Sequence, residues 1–547
     1  HEEFHFENNS GLLTPVNQDV YVKPDGDDSN NGLTWATAFK TIQHALSVLD
    51  TTTQTQHTIH LAAGTYSPSA TDERFPLPMQ TNVTIFGEAG MDSVIIDAER
   101  TAGVFTSINK HDCHLWNLTI TGGNSPSGGG VYAQSTGIVI DSCNIIDNKA
   151  TACPGERLPY WGNFLRGGGG ISYLEGPAAY TSFLVKNSQI VNNHSATGGG
   201  GVLCEGGNIV IGGAEGQGNY FSRNTCGDGY GADLRSQNQM DKNAQYNTFE
   251  YRGSVFPTTE FLLDHCTYEN DTLSVNDIYV SPEGSDDNLG LTEDEPLLTI
   301  HQAVLRTSRS TPLTIHLAPG VYSPSTNGES FPLPLRSNLV YRGAGPDTIL
   351  DAEATGRVFT SRTYWDHWTG GPIVTIEDLT ITGGVADIGG GIRLKGELTL
   401  KNVEISDCHA RNFGGGITLR FSDLYLENCR LEGNSAGVFG GGMNLFVVGA
   451  DTIANNSCLV KNESLTGGAA YMYNLWGDVV DCDFDNNQAS SGGGFFLDYS
   501  PVDFISCSFD NNKAQMGGAL VTYSYVSNRY MGCRFENNTA GGIGGAV

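Results

Sequence analysis

Five successive segments near the carboxyl end restate one pattern: CRLEGNSAGVFGGGMNL, CLVKNESLTGGAAYMY, CDFDNNQASSGGGFFL, CSFDNNKAQMGGALVTY and CRFENNTAGGIGGAV. Each joins a short alternating strand, an Asn turn, a Gly pair or triplet and a second short strand. Their leading cysteines, Cys429, Cys458, Cys482, Cys507 and Cys533, recur every 24 to 29 residues. A unit this short cannot bury a core alone, so successive units must stack. Its apolar runs have strand length only, which excludes a helical repeat and predicts an all-β coil of parallel strands, one turn about 4.8 Å from the next.

Alternation assigns the faces. In CDFDNN, Cys482 and Phe484 point inward while Asp483 and Asp485 point out. The Asn that follows (Asn434, Asn487, Asn512, Asn538) is expected to take left-handed backbone at the corner and to bond through its amide to the Asn above and below. Gly517 and Gly518 let the chain turn where rungs pack closely. The leading cysteines are expected to form one buried column of thiols. Cys153, Cys204 and Cys226 lie outside it, with a disulfide among them left open.

A second, larger repeat divides the chain. DVYVKPDGDDSNNGLTWATAFKTIQHAL, beginning at Asp19, matches DIYVSPEGSDDNLGLTEDEPLLTIHQAV, beginning at Asp277. The match continues through TIHLAAGTYSPS and TIHLAPGVYSPS, then IIDAERTAGVFTS and ILDAEATGRVFTS. The chain therefore reads as a segment 1–18, a first module 19–276 and a second module 277–547. Each module opens with a helical pattern, apolar at Phe39, Ile42 and Ala45 in the first copy, fit to cap the exposed end of a stack.

These modules resemble the pectate-lyase-like superfamily of right-handed parallel β-helices, particularly secreted members that open with a YVSPxGSDxNxG phrase. The short repeats also resemble those of the polymorphic outer membrane proteins, adhesins built from FxxN and GGA followed by an aliphatic residue. Phe484 to Asn487, Phe509 to Asn512 and Phe535 to Asn538 give the first element, and GGAL at Gly517 and GGAV at Gly544 the second. No autotransporter barrel accompanies them, so that family's membrane attachment is not implied. A galacturonan hydrolase of the first superfamily would carry GHG and RIK phrases; none of the 13 His is followed by Gly, and neither phrase occurs. A lyase would need a basic residue beside acidic calcium ligands. Lys461, one rung from Asp481, Asp483 and Asp485, is the candidate, against the plainer reading of a solvated lysine.

Charge narrows the partners. With 29 basic and 60 acidic residues the formal net charge is -31, which repels phosphate backbones and anionic lipid. Nucleic acid is not expected as a partner. No apolar run reaches the length of a membrane helix, so no membrane insertion is expected. The start at His1, the acidity and the architecture point to an exported, extracellular or cell-surface protein. Glu432, Asp485, Asp510 and Glu536 form an outward acidic column. Like charges about 5 Å apart repel by roughly 0.8 kcal/mol in bulk water, so calcium between rungs is one reading and an open solvated face the other. Asp25 and Asp27 in DGDDSNNG raise the same choice between calcium and a turn. No cofactor is required. Trp365 and Trp368 in TYWDHWTGG are candidates for stacking on a surface polysaccharide, or for covering the edge of the stack.

HEEFHFENNSG at the amino end reads like another rung strand. In the second copy the stretch before the module is HCTYENDTL, so Tyr268 to Asp271 stand where Phe6 to Asn9 stand before the first. This predicts that Phe4, Phe6, Asn8 and Asn9 of one molecule complete the rung of Phe535, Asn538 and Val547 in another, giving head-to-tail filaments of an extracellular structural and adhesive protein. The competing reading is a secreted polysaccharide lyase-like enzyme or carbohydrate-binding β-helix.

Overall fold

A computed structural model describes residues 15–50, 54–151, 167–174, 182–196, 198–206, 209–227, 232–237, 242–251, 255–256, 261–264, 266–270, 273–307, 311–361, 371–523 and 527–546. The chain is a right-handed parallel β-helix. In the first module three long ladders run along the coil. One stacks nine strands from Val20–Val22 to Phe261–Asp264, one eight from Gly64–Tyr66 to Thr267–Asn270, and one seven from Leu77–Pro78 to Val255–Phe256. A corner ladder adds Asn124–Ser125, Lys149–Ala150, His194–Ser195 and Thr225–Cys226. Neighbouring strands are parallel and shifted by one full turn of the chain. The second module repeats the plan from Asp277–Val280 to Arg534–Glu536.

Two apolar columns fill the coils. One runs from Val20 to Phe249, with Cys266 and Tyr268 packed against it. The other runs from Ile278 to Leu520, with Val275, Tyr530, Cys533 and Phe535 packed against it. Thr267–Asn270 pairs in parallel with Thr248–Tyr251, making it the last rung of the first module.

Each stack begins under a helix, Ile42–Val48 and Ile300–Arg306. Thr41 and Thr299 cap the helices through their hydroxyls, and a buried carboxylate lies beneath each first turn. Glu73 accepts from the backbone N–H of Ile42 at 2.7 Å and Gln43 at 2.9 Å. Glu329 accepts from Ile300 at 2.6 Å and from the His301 ring at 2.8 Å. Ile42, Ala45, Leu46 and Val48 turn onto the first rung, closing the apolar end that an open stack would expose to water.

The Asn ladder runs from Asn434 through Asn462, Asn487 and Asn512 to Asn538, each side-chain N–H donating to the next side-chain oxygen at 3.0–3.2 Å. The same oxygen also accepts the backbone N–H of the rung before, at 2.9–3.0 Å. The left-handed backbone lies one residue earlier than the sequence suggests, at Asn486, Asn511 and Asn537 with φ of 54 to 57°. Position follows from chemistry: the inward Asn needs extended backbone to aim its amide along the stack, and the exposed residue before it absorbs the turn. Asn148, Asn193 and Asn224 build a matching ladder in the first module.

The thiol column needs one correction. Cys429, Cys482 and Cys507 are buried and Cys533 packs against them at the end, but Cys458 is not in line. It registers with Arg430 and Asp483, half-exposed, and Ser457 takes the inward place, accepting the Cys429 N–H at 3.0 Å. Burial pushes the Cys429 thiol up to about 11. Cys204 and Cys226 are buried and in no disulfide, and Cys153 lies outside the described residues.

Candidate functional site

Parallel register converts one outward position per strand into a row along the coil. On the nine-stranded ladder Tyr21 pairs with His60, His60 with Phe86 and Phe86 with Trp116. Trp35, on the short 3-10 turn Trp35–Thr37, extends the row past Tyr21. Ring centroids follow at 4.8 Å (Trp35 to Tyr21), 4.9 Å (Tyr21 to His60), 6.3 Å (His60 to Phe86) and 5.4 Å (Phe86 to Trp116). Trp35 and Trp116 are 39% and 43% exposed.

Ring attitude decides what such a row can hold. Tyr21 and His60 stack at 16°, closing those two faces against each other. Trp35 is turned 65° from Tyr21, Phe86 82° from His60, and Trp116 81° from Phe86. Rings turned against their neighbours keep faces free for a ligand's weakly positive C–H groups. The second module carries aromatic rows at other places: Phe439 stacks on Tyr471 at 4.4 Å and 22°, and Phe446 stacks on Tyr473 at 4.7 Å and 11°, with Phe421 turned 83° from Phe446 and Tyr499 69° from Tyr473.

Polar groups flank the first-module row. The His60 ring bonds to Glu88 Oε1 at 2.6 Å and lies 3.8 Å from Asp19 Oδ2. Gln56 Nε2 donates to Thr84 Oγ1 at 2.9 Å. His114 neighbours the row on its strand, and partial burial holds its imidazole below the ordinary value. Aromatic faces bordered by a few fixed carboxylates, amides and imidazoles suit a ligand with apolar faces and hydroxyl rims.

The duplication separates scaffold from specialisation. Tyr279 and His316 repeat the Tyr21–His60 stack at 4.9 Å and 15°, and His316 bonds Asp277 at 2.7 Å, so the Asp–Tyr–His group belongs to the module itself. Where the first module has Trp35, Phe86 and Trp116, the second has Glu293, Arg342 and Glu377, with Arg342 and Glu377 forming an ion pair. The fold does not require aromatics at those three places. Comparing the two copies at outward strand positions would have revealed this row from the sequence; a search for catalytic phrases does not.

The residues singled out from the sequence are placed as follows. Asp485, Asp510 and Glu536 do share one column. The step from Glu432 to Asp485 passes through Val460, so the acidic column is interrupted there. Its carboxylates have local partners: Glu432 meets Arg430 and Lys461, Asp485 accepts from Asn511 at 2.9 Å, and Asp510 pairs with Arg534 at 2.5 Å. Lys461 stands at a corner with φ of 54°, its ammonium 2.8 Å from Glu432. Asp25 lies 3.6 Å from Lys23, and Asp27 accepts the Ser29 N–H at 2.8 Å, a bond that lowers its pKa and closes a turn. Among the described residues no group of three or more His, Cys, Asp or Glu side chains is arranged to hold a metal ion. Phe535 stacks on Phe509 at 4.7 Å, and Asn538 ends the described ladder. Phe4, Phe6, Asn8, Asn9, Trp365, Trp368 and Val547 lie outside the described residues.

Two family models match the chain. "Right handed beta helix region" covers residues 358–491, and "Protein of unknown function (DUF1565)" covers residues 24–153. The first agrees with the observed coil, a right-handed parallel β-helix. No curated protein matches its sequence. Among solved structures it is similar to two Azotobacter vinelandii proteins. The mannuronan C-5 epimerase AlgE6 A-module is 10% identical, with 88% of this chain and 91% of that chain covered and a TM-score of 0.15. The AlgE4 A-module is 11% identical, with 89% and 90% covered and a TM-score of 0.13. At such scores neither likeness bears on a reaction.

Proposed function

We propose that the chain is an extracellular structural and adhesive β-helix whose first module holds a neutral polysaccharide along Trp35, Tyr21, His60, Phe86 and Trp116. The observation that carries this reading is the exchange of three aromatics for three charges between otherwise matching modules. A neutral chain is favoured because the formal charge of -31 repels polyanions. Electrophoresis through gels cast with soluble xylan or β-glucan, with polygalacturonate as the anionic control, tests it. Retardation by a neutral polymer is expected, and equal mobility in every gel refutes it. The lyase alternative is tested in parallel: unsaturated products from uronate polymers that vanish in Lys461→Ala would replace the adhesive reading.

Self-association is the second element of the proposal. The rung Thr267–Asn270 that completes the first module just before the second cap supports it, because Phe6 to Asn9 hold the matching place before the first cap. Donation of that strand to the rung of Phe535 and Asn538 in another copy would propagate head to tail. Deleting residues 1–12 should abolish filaments seen by electron microscopy; filaments that persist unchanged refute strand donation. Calcium between Asp485, Asp510 and Glu536 is a further proposal, supported by their register and opposed by the Arg534 and Asn511 contacts. A thermal midpoint that does not move with added Ca²⁺ would remove it.

A further inference from the structure

Inside the chain, the cap of the second module docks sideways on a corner of the first. The helix Ile300–Arg306 lies against the corner strand Thr225–Cys226. His194 donates from Nε2 to the Phe331 carbonyl at 3.2 Å, and its ring meets His301 edge to face at 5.4 Å. Arg223 pairs with Asp287, and Arg306 lies over the Tyr251 ring at 5.4 Å. Pro332 sits so close to Gly227 that a Cβ there would be 2.5 Å from the proline ring. Phe331, Pro332, His301 and His194 are all buried at this joint.

Both halves of that joint recur in the chain, and among the described residues they are more open than their counterparts. On the first-module cap, Phe75 and Gln43 are half-buried and Pro76 is exposed, where their counterparts Phe331, His301 and Pro332 are buried. On the second module, the corner strand Asn224-Thr225-Cys226-Gly227 has a counterpart in Asn538-Thr539-Ala540-Gly541, glycine included. Lys513 registers with Thr539 as His194 registers with Thr225. Lys513, Thr539 and Gly541 are exposed, as is Met516, 42% open beside them.

We infer that the first-module cap of one copy, through Phe75, Pro76 and Gln43, docks on the Lys513 and Thr539–Gly541 corner of a second copy, repeating between molecules the joint that links the modules within one. The inference rests on the self-association reading but not on strand donation. The donor cap and acceptor corner are different surfaces on different modules, so the contact is heterologous and extends rather than closing a dimer.

Sedimentation of the full chain across a concentration series tests this, with the cap variant Pro76→Glu and the corner variant Gly541→Val. Both positions are exposed; Pro76 follows a cis peptide bond and an added Cβ at Gly541 would stand 2.5 Å from Gln515 Oε1, so circular dichroism of each variant accompanies the assembly series. The wild type should assemble with rising concentration, and each variant alone should need about tenfold more protein or remain monomeric. Mixed together, the two should form a dimer and stop, because one retains a corner and the other a cap. Variants that merely misfold would not complement. If both variants assemble like the wild type, cap docking is overturned while self-association stands. If the wild type is monomeric throughout, both fall. A benzophenone amino acid at Gln43 adds a positional check: crosslinks between copies should map to residues 511–541, and crosslinks confined elsewhere would overturn the assignment.

Discussion

Transplanting the second module's residues onto the first gives the sharpest test of the aromatic row: Trp35→Glu, Phe86→Arg and Trp116→Glu made together. The triple exchange should leave the fold nearly untouched. The same backbone positions carry Glu293, Arg342 and Glu377 one module later, and the new Arg and Glu stand in the register of the Arg342–Glu377 pair. An exposed pair of this kind alters stability by about 1 kcal/mol at most, or roughly 2–4 °C in thermal midpoint for a unit of this size. Binding should respond differently. Each ring face offered to a ligand is worth about 0.5–1.5 kcal/mol, so three lost faces amount to about 3 kcal/mol, or roughly a hundredfold in Kd. Tryptophan quenching in the wild type and gel retardation in both proteins read the change, since Trp35 and Trp116 are two of only six tryptophans. A triple variant that folds normally and binds the same neutral polymer with unchanged affinity would refute the assignment of this row as the binding surface.

Other consequences follow from the ladders, caps and joint. Asn487→Ala removes the acceptor of the buried Asn462 N–H and three further bonds, at about 1–3 kcal/mol for the orphaned donor alone, whereas Asn486→Gly, at a left-handed exposed corner, should be neutral or better; thermal unfolding distinguishes them. Burial lifts the Glu73 carboxyl to about 7 despite its two backbone N–H donors, so its contribution is full below the ordinary value of 4.5 and is lost as pH rises through 7; Glu73→Gln should flatten that part of the stability profile measured by denaturant titration. Burial, with Lys149 and His301 nearby, holds His194 well below its ordinary 6.5. The undocked imidazole therefore takes up a proton that the docked one refuses, and the joint should loosen as pH falls below about 6.5. Hydrogen exchange at residues 223–227 reads the loosening, and His194→Asn should remove its pH dependence.

The fold was legible in the sequence wherever one position per rung was under a strict steric demand. Phe484 and Phe509, one rung apart at matching positions, are buried as alternation requires, and the duplicated TI in KTIQ and LTIH marks both caps. Local phase was harder to read. Cys458 follows Ser457 and looks like the repeat's leading thiol, yet rungs of unequal length put the serine in line; spacing alone cannot show which of two small neighbours turns inward. The acidic column breaks in the same way at Val460, whose rung places no carboxylate in that register.

The aromatic row was hidden for a different reason. Its members lie in five separate segments, between Tyr21 and Trp116, and no local phrase joins them. Only register brings them together, because a parallel coil turns a difference of about 25 to 40 residues in sequence into one step of about 4.8 Å in space. In a duplicated coil, however, each module is a control for the other. Retention of Tyr and His at matching places argues for a scaffold role, as the repeated stack at 4.9 Å bears out, and replacement of an aromatic by a charge at an outward place argues that the ring answers to something outside the fold. The same comparison singles out the cap and the corner: a surface that is buried in one copy and open, among the described residues, in the other carries its own description of the partner it fits.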